Sequence, residues 1–216
     1  LSLTKTQEED YLKSSHLNAG VTWLDVKTCQ RLVPYLAPYP GILIENAKIV
    51  YTEDYLKGLF IACQRLGMDF EVSKITSFEK LQGFDHIVVT AGADTKLFSE
   101  LQNLDLFLVK GQILKLEWPK DIAPLPLPIN SLKYILMDQD MKSFVAGATF
   151  ERNFTSPLPD VHFAKSEIMP DICRYLPCLE NAKIMECKTA VRVSTKDHLP
   201  LVQKVFPRIS VFTGLG

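Results

Sequence analysis

The chain carries none of the short patterns that announce a complete nucleotide or hydrolytic site. It has no G-x-G-x-x-G or G-x-x-x-x-G-K-[ST] loop, no H-E-x-x-H and no G-x-S-x-G. A self-contained phosphate loop, a zincin helix and a hydrolase nucleophile elbow therefore all lack their signatures. No C-x-x-C occurs either, and the five cysteines (Cys29, Cys63, Cys173, Cys178, Cys187) are odd in number and without tight pairing. They read as free thiols of a reducing compartment, which points to the cytoplasm. His16, His86, His162 and His198 lie far apart, so no metal site is expected. With no run of roughly 18 apolar residues and no basic-then-apolar leader, neither a membrane-spanning helix nor a signal peptide is expected.

Charge of one sign is missing as well. The 24 Lys and Arg balance 25 Asp and Glu, a net charge of -1. Such a chain has no overall field to collect nucleic acid or anionic lipid. The most basic stretch, Lys183 to Arg208, spreads six basic residues against Glu186 and Asp197 and reads as a solvated face. What is present is ordinary: 216 residues, 47% hydrophobic and 23% charged, the composition of a folded globular protein with a sizeable core.

Along the chain, Ser2 to Leu17 has a polar helical pattern that Asn18-Ala-Gly20 ends. A second helix follows the N-cap Asp25 and runs through Cys29, Leu32, Val33 and Leu36 until Pro38 and Pro40. Gly41 to Glu45 and Lys48 to Tyr51 read as extended. The strongest helix starts at Thr52 as N-cap, carries Tyr55, Leu56, Leu59, Phe60, Cys63 and Leu66 on one face, and closes at Gly67. Phe70 to Val72 alternates like a strand, and His86 to Thr90 reads as a buried strand running into Ala91-Gly-Ala93.

From Leu104 the grammar changes. Phe107 to Trp118 and Tyr134 to Phe150 are long and alternating, as antiparallel strands are, and Pro119, Pro124, Pro126 and Pro128 mark an extended connector between them. A helix over Ser166 to Tyr175 precedes a strand pair, Ala182 to Thr195 and Val202 to Val205, and the chain closes on Ser210 to Gly216. Early α/β order followed by antiparallel strands predicts an α+β class: a large mixed or antiparallel sheet with helices, beside a smaller α/β part.

Four local features could carry chemistry: Thr90-Ala-Gly-Ala93, Lys110-Gly-Gln112, Gly147-Ala-Thr-Phe-Glu151 and Arg192-Val-Ser-Thr-Lys-Asp-His-Leu-Pro200. A planar guanidinium such as Arg192 can hold a carboxylate through two parallel hydrogen bonds, or it can pair structurally with Asp197. Tyr134 combines an apolar ring with one polar tip, which suits either a cleft wall or an ordinary strand. Lys110 would serve as a base if burial lowered its pKa, but its strand position favours a structural role. Asp197 and His198 face opposite sides if their segment is extended.

In order and spacing these features resemble the D-amino-acid oxidase superfamily of FAD-dependent oxidoreductases, and most closely its glycine oxidase branch. The matching pieces are His86-Ile-Val-Val-Thr-Ala-Gly-Ala93, Val109-Lys-Gly-Gln112, Tyr134-Ile-Leu-Met137 paired with Gly147-Ala-Thr-Phe-Glu151, then Ala190 to Pro200, and Phe212-Thr-Gly-Leu-Gly216. Ala190, Val193 and Met137 depart from the family's glycine and two prolines. The resemblance implies oxidation of a C–N bond of an amino acid or related amine, with hydride passing to flavin without a protein base. It implies that Arg192 grips the substrate carboxylate and that Tyr134 borders the substrate pocket. Thr90, Ala91 and Gly92 would approach the dinucleotide, and Gly214 and Gly216 the loop under the flavin.

The resemblance divides the chain into a substrate-binding part, 1–47 with 105–184, and an incomplete FAD-binding part, 48–104 with 185–216. The family's N-terminal strand, glycine loop and helix have no counterpart here, so the chain reads as a piece of a longer enzyme. Two other readings stand beside this one. Asp197-His-Leu-Pro200 also resembles the oxidase half of a bifunctional tRNA wobble-uridine modification enzyme, although the neutral charge opposes a tRNA partner. A non-catalytic binding module that kept the sheet is the other. FAD pyrophosphate needs the helix N-terminus behind the missing loop. The 216 residues alone are therefore expected to purify without stoichiometric FAD, and a yellow sample with flavin equimolar to chain would overturn this.

Overall fold

The computed structural model describes residues 1–215, so Gly216 lies outside the described residues. The elements in order are α1 (Lys5–Leu17), β1 (Val21–Leu24), α2 (Val26–Leu32), β2 (Gly41–Ile44), α3 (Thr52–Arg65), β3 (Ile87–Val89) and β4 (Leu106–Glu117). They continue as β5 (Ile129–Asn130), β6 (Tyr134–Met137), β7 (Ser143–Gly147), α4 (Val161–Tyr175), β8 (Ile184–Thr195), β9 (Leu201–Phe206) and β10 (Ile209–Thr213). Strands β1 and β2, on either side of α2, form an antiparallel pair; β3, β10 and β9 form a three-stranded sheet; β5-β6-β7-β4-β8 form an antiparallel five-stranded sheet. Within the three-stranded sheet, β3 and β10 run parallel. This is the α+β arrangement that the sequence pattern predicts.

The main core lies on one face of the five-stranded sheet. Leu114 and Leu116 of β4, Ile135 and Met137 of β6, and Phe144 and Ala146 of β7 alternate into it, against Ala164, Ile168, Ile172 and Tyr175 of α4. The Tyr175 hydroxyl donates to the Lys133 carbonyl at 2.8 Å, so its polar end is satisfied where its ring is buried. A smaller core holds Val89, Leu101 and Val211 under the parallel strands.

Several boundaries differ from the sequence reading, each for a local reason. Helix α1 starts at Lys5 because Thr4, not Ser2, supplies the cap, its hydroxyl accepting from the Gln7 amide. Asp25 caps α2 as expected, but the helix ends at Leu32 rather than Leu36. Pro34 lacks an N–H and forces Val33 out of helical geometry. In α3 the cap position is Tyr51, so Thr52 is the first helical residue and no side chain caps the end. Asp160 caps α4 at 3.0 Å and starts it at Val161, well before Ser166.

Lys48 to Tyr51 and Phe70 to Val72 are not strands, because neither meets a sheet edge; Phe70 instead packs edge-on against Phe60 at 5.0 Å between ring centroids. Strand β3 is shorter than expected and buries only Val89 fully. The run from Tyr134 to Phe150 is broken by a turn, in which the Asp140 carboxylate accepts from the Lys142 and Ser143 amides at 2.8 and 3.0 Å. Asp197 and His198 lie in a turn rather than an extended segment, and all five cysteines are free thiols. Among the described residues no helix is long and apolar enough to cross a membrane.

Helix α3 has the expected amphipathic stripe, yet no residue of it is buried; Leu56 is 62% exposed. The two helices should therefore respond differently to truncation. Ile168→Ala in α4 is expected to cost about 2–5 kcal/mol of unfolding free energy, and Leu56→Ala in α3 less than about 0.5 kcal/mol, by urea denaturation. Equal losses would show that α3 belongs to the cooperative core.

Candidate active site on the open face of the sheet

Successive side chains of a strand point to opposite faces. From Lys110 to Leu116 the buried residues of β4 are Lys110, Gln112, Leu114 and Leu116, which leaves Gly111, Ile113 and Lys115 on the other, half-open face, beyond the buried Val109. Register brings further residues to that face. Gly111 stands opposite Ala190 of β8, and Arg192 stands opposite Val109. Ile113 stands opposite Gly147 of β7, and Gly147 opposite Tyr134 of β6.

Two glycines keep this face bare. A Cβ at Gly111 would lie 2.8 Å from Arg192 Nη2 and 3.3 Å from its Cζ and Nε, so the guanidinium lies across the glycine. A Cβ at Gly147 would lie 2.7 Å from Ile113 Cγ2 and 3.3 Å from the Tyr134 hydroxyl. Glycine in a strand interior marks such close approach.

The electrostatics favour an anion here. Among the described residues Arg192 makes no ion pair, and its one hydrogen bond runs from Nη2 to the Thr149 carbonyl at 3.5 Å. Asp197 is engaged elsewhere, accepting from the Thr195 hydroxyl at 3.0 Å and the Leu199 amide at 3.1 Å. Most of the guanidinium's five donors thus remain available. Burial raises the Tyr134 phenol above its ordinary value while the Arg192 charge pulls it the other way, so Tyr134 stays a neutral donor at physiological pH. Farther along the same face, a cavity of about 450 Å³ opens between Ile113, Lys115 and Leu136 and the start of α3 at Tyr51, Glu53 and Asp54.

The other expected residues gather at the C-terminal ends of the parallel strands. Thr90, Ala91 and Gly92 follow β3, and Gly214 follows β10, its neighbour. Gly92 has φ +54° and open space where a Cβ would be. Gly214 has φ +75°, and a Cβ there would lie 2.8 Å from Thr195 Cγ2. Thr195 ends β8, the strand that also carries Arg192. The sequence reading thus separates into two clusters joined by one strand, with Gly216 outside the described residues. Lys110 is buried and ion-paired with Glu151 at 3.8 Å, as a structural strand residue would be.

The sequence reading did not assign Gly111, Gly147 or the Thr149 carbonyl to the site. The available signal was the two glycines interrupting otherwise apolar, alternating strands.

The family model described as FAD dependent oxidoreductase matches residues 2–216, and the chain belongs to this family. Among solved structures it is similar to glycine oxidase from Geobacillus kaustophilus, with TM-score 0.78 and 18% identity over 98% of this chain and 63% of that one. It is also similar to iminodiacetate oxidase from Chelativorans sp. BNC1, with TM-score 0.77 and 19% identity over 99% and 65% of the two chains. Fructosamine oxidase (Amadoriase II) from Aspergillus fumigatus gives TM-score 0.76 and 11% identity over 97% and 60%. These likenesses are of fold. The chain spans just under two thirds of the length of these structures. No curated protein matches it in sequence.

The residues at the parallel strand ends fit part of a dinucleotide site. Open α/β sheets bind such ligands beyond the carboxyl ends of their strands. Gly92 offers bare backbone at that position, and the nearby Thr213 hydroxyl is buried without a partner.

Proposed function

We propose that this chain supplies the substrate-binding face, and part of the flavin-binding wall, of an FAD-dependent oxidoreductase that oxidises the C–N bond of an amino acid or related amine. The imine product would be hydrolysed by water. One observation carries the reading: a guanidinium without an ion pair lies flat over Gly111, on the same bare sheet face as the Tyr134 hydroxyl. Glycine, iminodiacetate and fructosamine, in the names of the similar structures, all denote compounds with a C–N bond.

In this reading Arg192 holds the substrate carboxylate by two parallel, charge-assisted hydrogen bonds and so fixes the carbon that bears the nitrogen. Tyr134 borders the same pocket and donates to the bound molecule. Thr90, Ala91, Gly92 and Gly214 would hold the cofactor against this face. When bound, FAD would accept the two electrons that leave as hydride from the carbon bearing the nitrogen. Residues 1–47 with 105–184 form the substrate-binding part, and 48–104 with 185–216 the cofactor part. Strand β8 serves both, because it pairs along its length with β4 and ends against Gly214.

The test uses the flavin-loaded full-length protein. Losing two charge-assisted hydrogen bonds costs about 3 kcal/mol, so Arg192→Ala is expected to raise the apparent KM for an amino-acid substrate about 100-fold, with flavin affinity little changed. Gly111→Ala keeps the charge but pushes the guanidinium aside, and is expected to raise KM about 10-fold. An unchanged KM in Arg192→Ala would remove this residue from the site.

A further inference from the structure

Behind the bare face, Lys110 and Glu151 form a nearly buried ion pair, 3.8 Å between charged atoms. Lys110 is 4% exposed, and the Glu151 side chain is 14% exposed. Isolated charges are costly to bury, and such a pair persists only when its remaining donors and acceptors are met. Here a closed network satisfies the carboxylate side of the pair, at Glu151 Oε1. Glu151 Oε1 accepts from Gln112 Nε2 at 2.9 Å and from the Thr149 hydroxyl at 2.6 Å. The Thr149 hydroxyl accepts from the Gln112 amide at 2.9 Å, and the Thr149 amide donates to the Gln112 carbonyl at 3.0 Å. The backbones of Lys110 and Glu151 exchange two further hydrogen bonds, both 2.9 Å.

Thr149 is therefore held at its amide and twice at its hydroxyl, which leaves its carbonyl as the free group with a fixed direction. That carbonyl is the hydrogen-bond acceptor of Arg192 Nη2. We propose that Glu151 is a positioning residue for Arg192: through Thr149 it fixes the carbonyl that orients one edge of the guanidinium and leaves the other edge for a carboxylate. The inference rests on the proposed role of Arg192 as the carboxylate anchor. A merely structural role is the alternative, since Gln112 Oε1 also accepts from the Asp160 amide at 2.6 Å and so ties the network to the start of α4.

The two roles separate by charge selectivity. In the flavin-loaded full-length protein, acetate and acetamide are titrated by ligand-observed NMR; they share a shape and differ in charge. Arg192→Ala is expected to abolish the preference for acetate. Glu151→Leu, which removes the acceptor, and Thr149→Val are each expected to weaken acetate about fivefold and leave acetamide unchanged, whereas Thr149→Ser, which keeps the hydroxyl, retains the parent preference. Where Glu151→Leu lowers the melting temperature too far to titrate, the Thr149→Val and Thr149→Ser pair decides. Equal losses for both probes, or none, in Glu151→Leu and Thr149→Val alongside a lost preference in Arg192→Ala would overturn the positioning role alone. A retained preference in Arg192→Ala would overturn the anchor reading and this inference with it.

Discussion

Strand β4 has to satisfy two opposed demands with alternate residues. One set, Leu114 and Leu116 with Lys110 and Gln112, is buried against α4 and the segment that follows β7. The other set, Gly111 and Ile113, must stay low enough for Arg192 and Tyr134 to lie over the sheet. A slip of one residue in pairing would exchange the sets, putting leucines on the open face and a glycine in the core. Register is thus the constraint on which both the core and the site depend. The Lys110–Glu151 bridge helps to hold it, because Lys110 and Gln112 find their partners only when β4 and the segment around Thr149 are aligned.

The same argument explains why a charged pair tolerates burial at this place. Hydrophobic residues in place of Lys110 and Glu151 would leave the buried Gln112 amide group and Thr149 hydroxyl without their acceptor. Nor would they fix the direction of a neighbouring carbonyl. A polar network specifies orientation, which apolar packing does less well.

Much of this was legible in the sequence, for identifiable reasons. The alternation of β4 is a local, two-residue signal, and Asp25 is a cap followed directly by its helix, so both read correctly. The order of Val109-Lys-Gly-Gln112, Gly147-Ala-Thr-Phe-Glu151 and Arg192 pointed to the family. Other features depend on what lies across space. Helix α3 carries the periodic stripe of a core helix, and a stripe looks the same whether or not a partner covers it. Phe70 to Val72 alternates but meets no sheet edge. Pro34 was a local signal that outweighed the apolar pattern running through it. At the site, Arg192 and Tyr134 stood out as chemistry, whereas Gly111 and Gly147 matter through atoms they lack, and their effect appears only when β8 and β6 are laid beside them.

The geometry also accounts for arginine rather than lysine at position 192. The contact atoms over Gly111 are Nη2, Cζ and Nε, so the group spans the glycine as a flat plate instead of touching it at one point. A guanidinium held flat by one carbonyl still presents a second edge whose two N–H bonds are parallel, the spacing a carboxylate requires. An ammonium bound to the same Thr149 carbonyl would direct its other protons along a tetrahedron, with no matched pair to offer. The glycine beneath, the carbonyl at one edge and the free opposite edge therefore form a single arrangement, in which the residue type at each position follows from the planarity of one side chain.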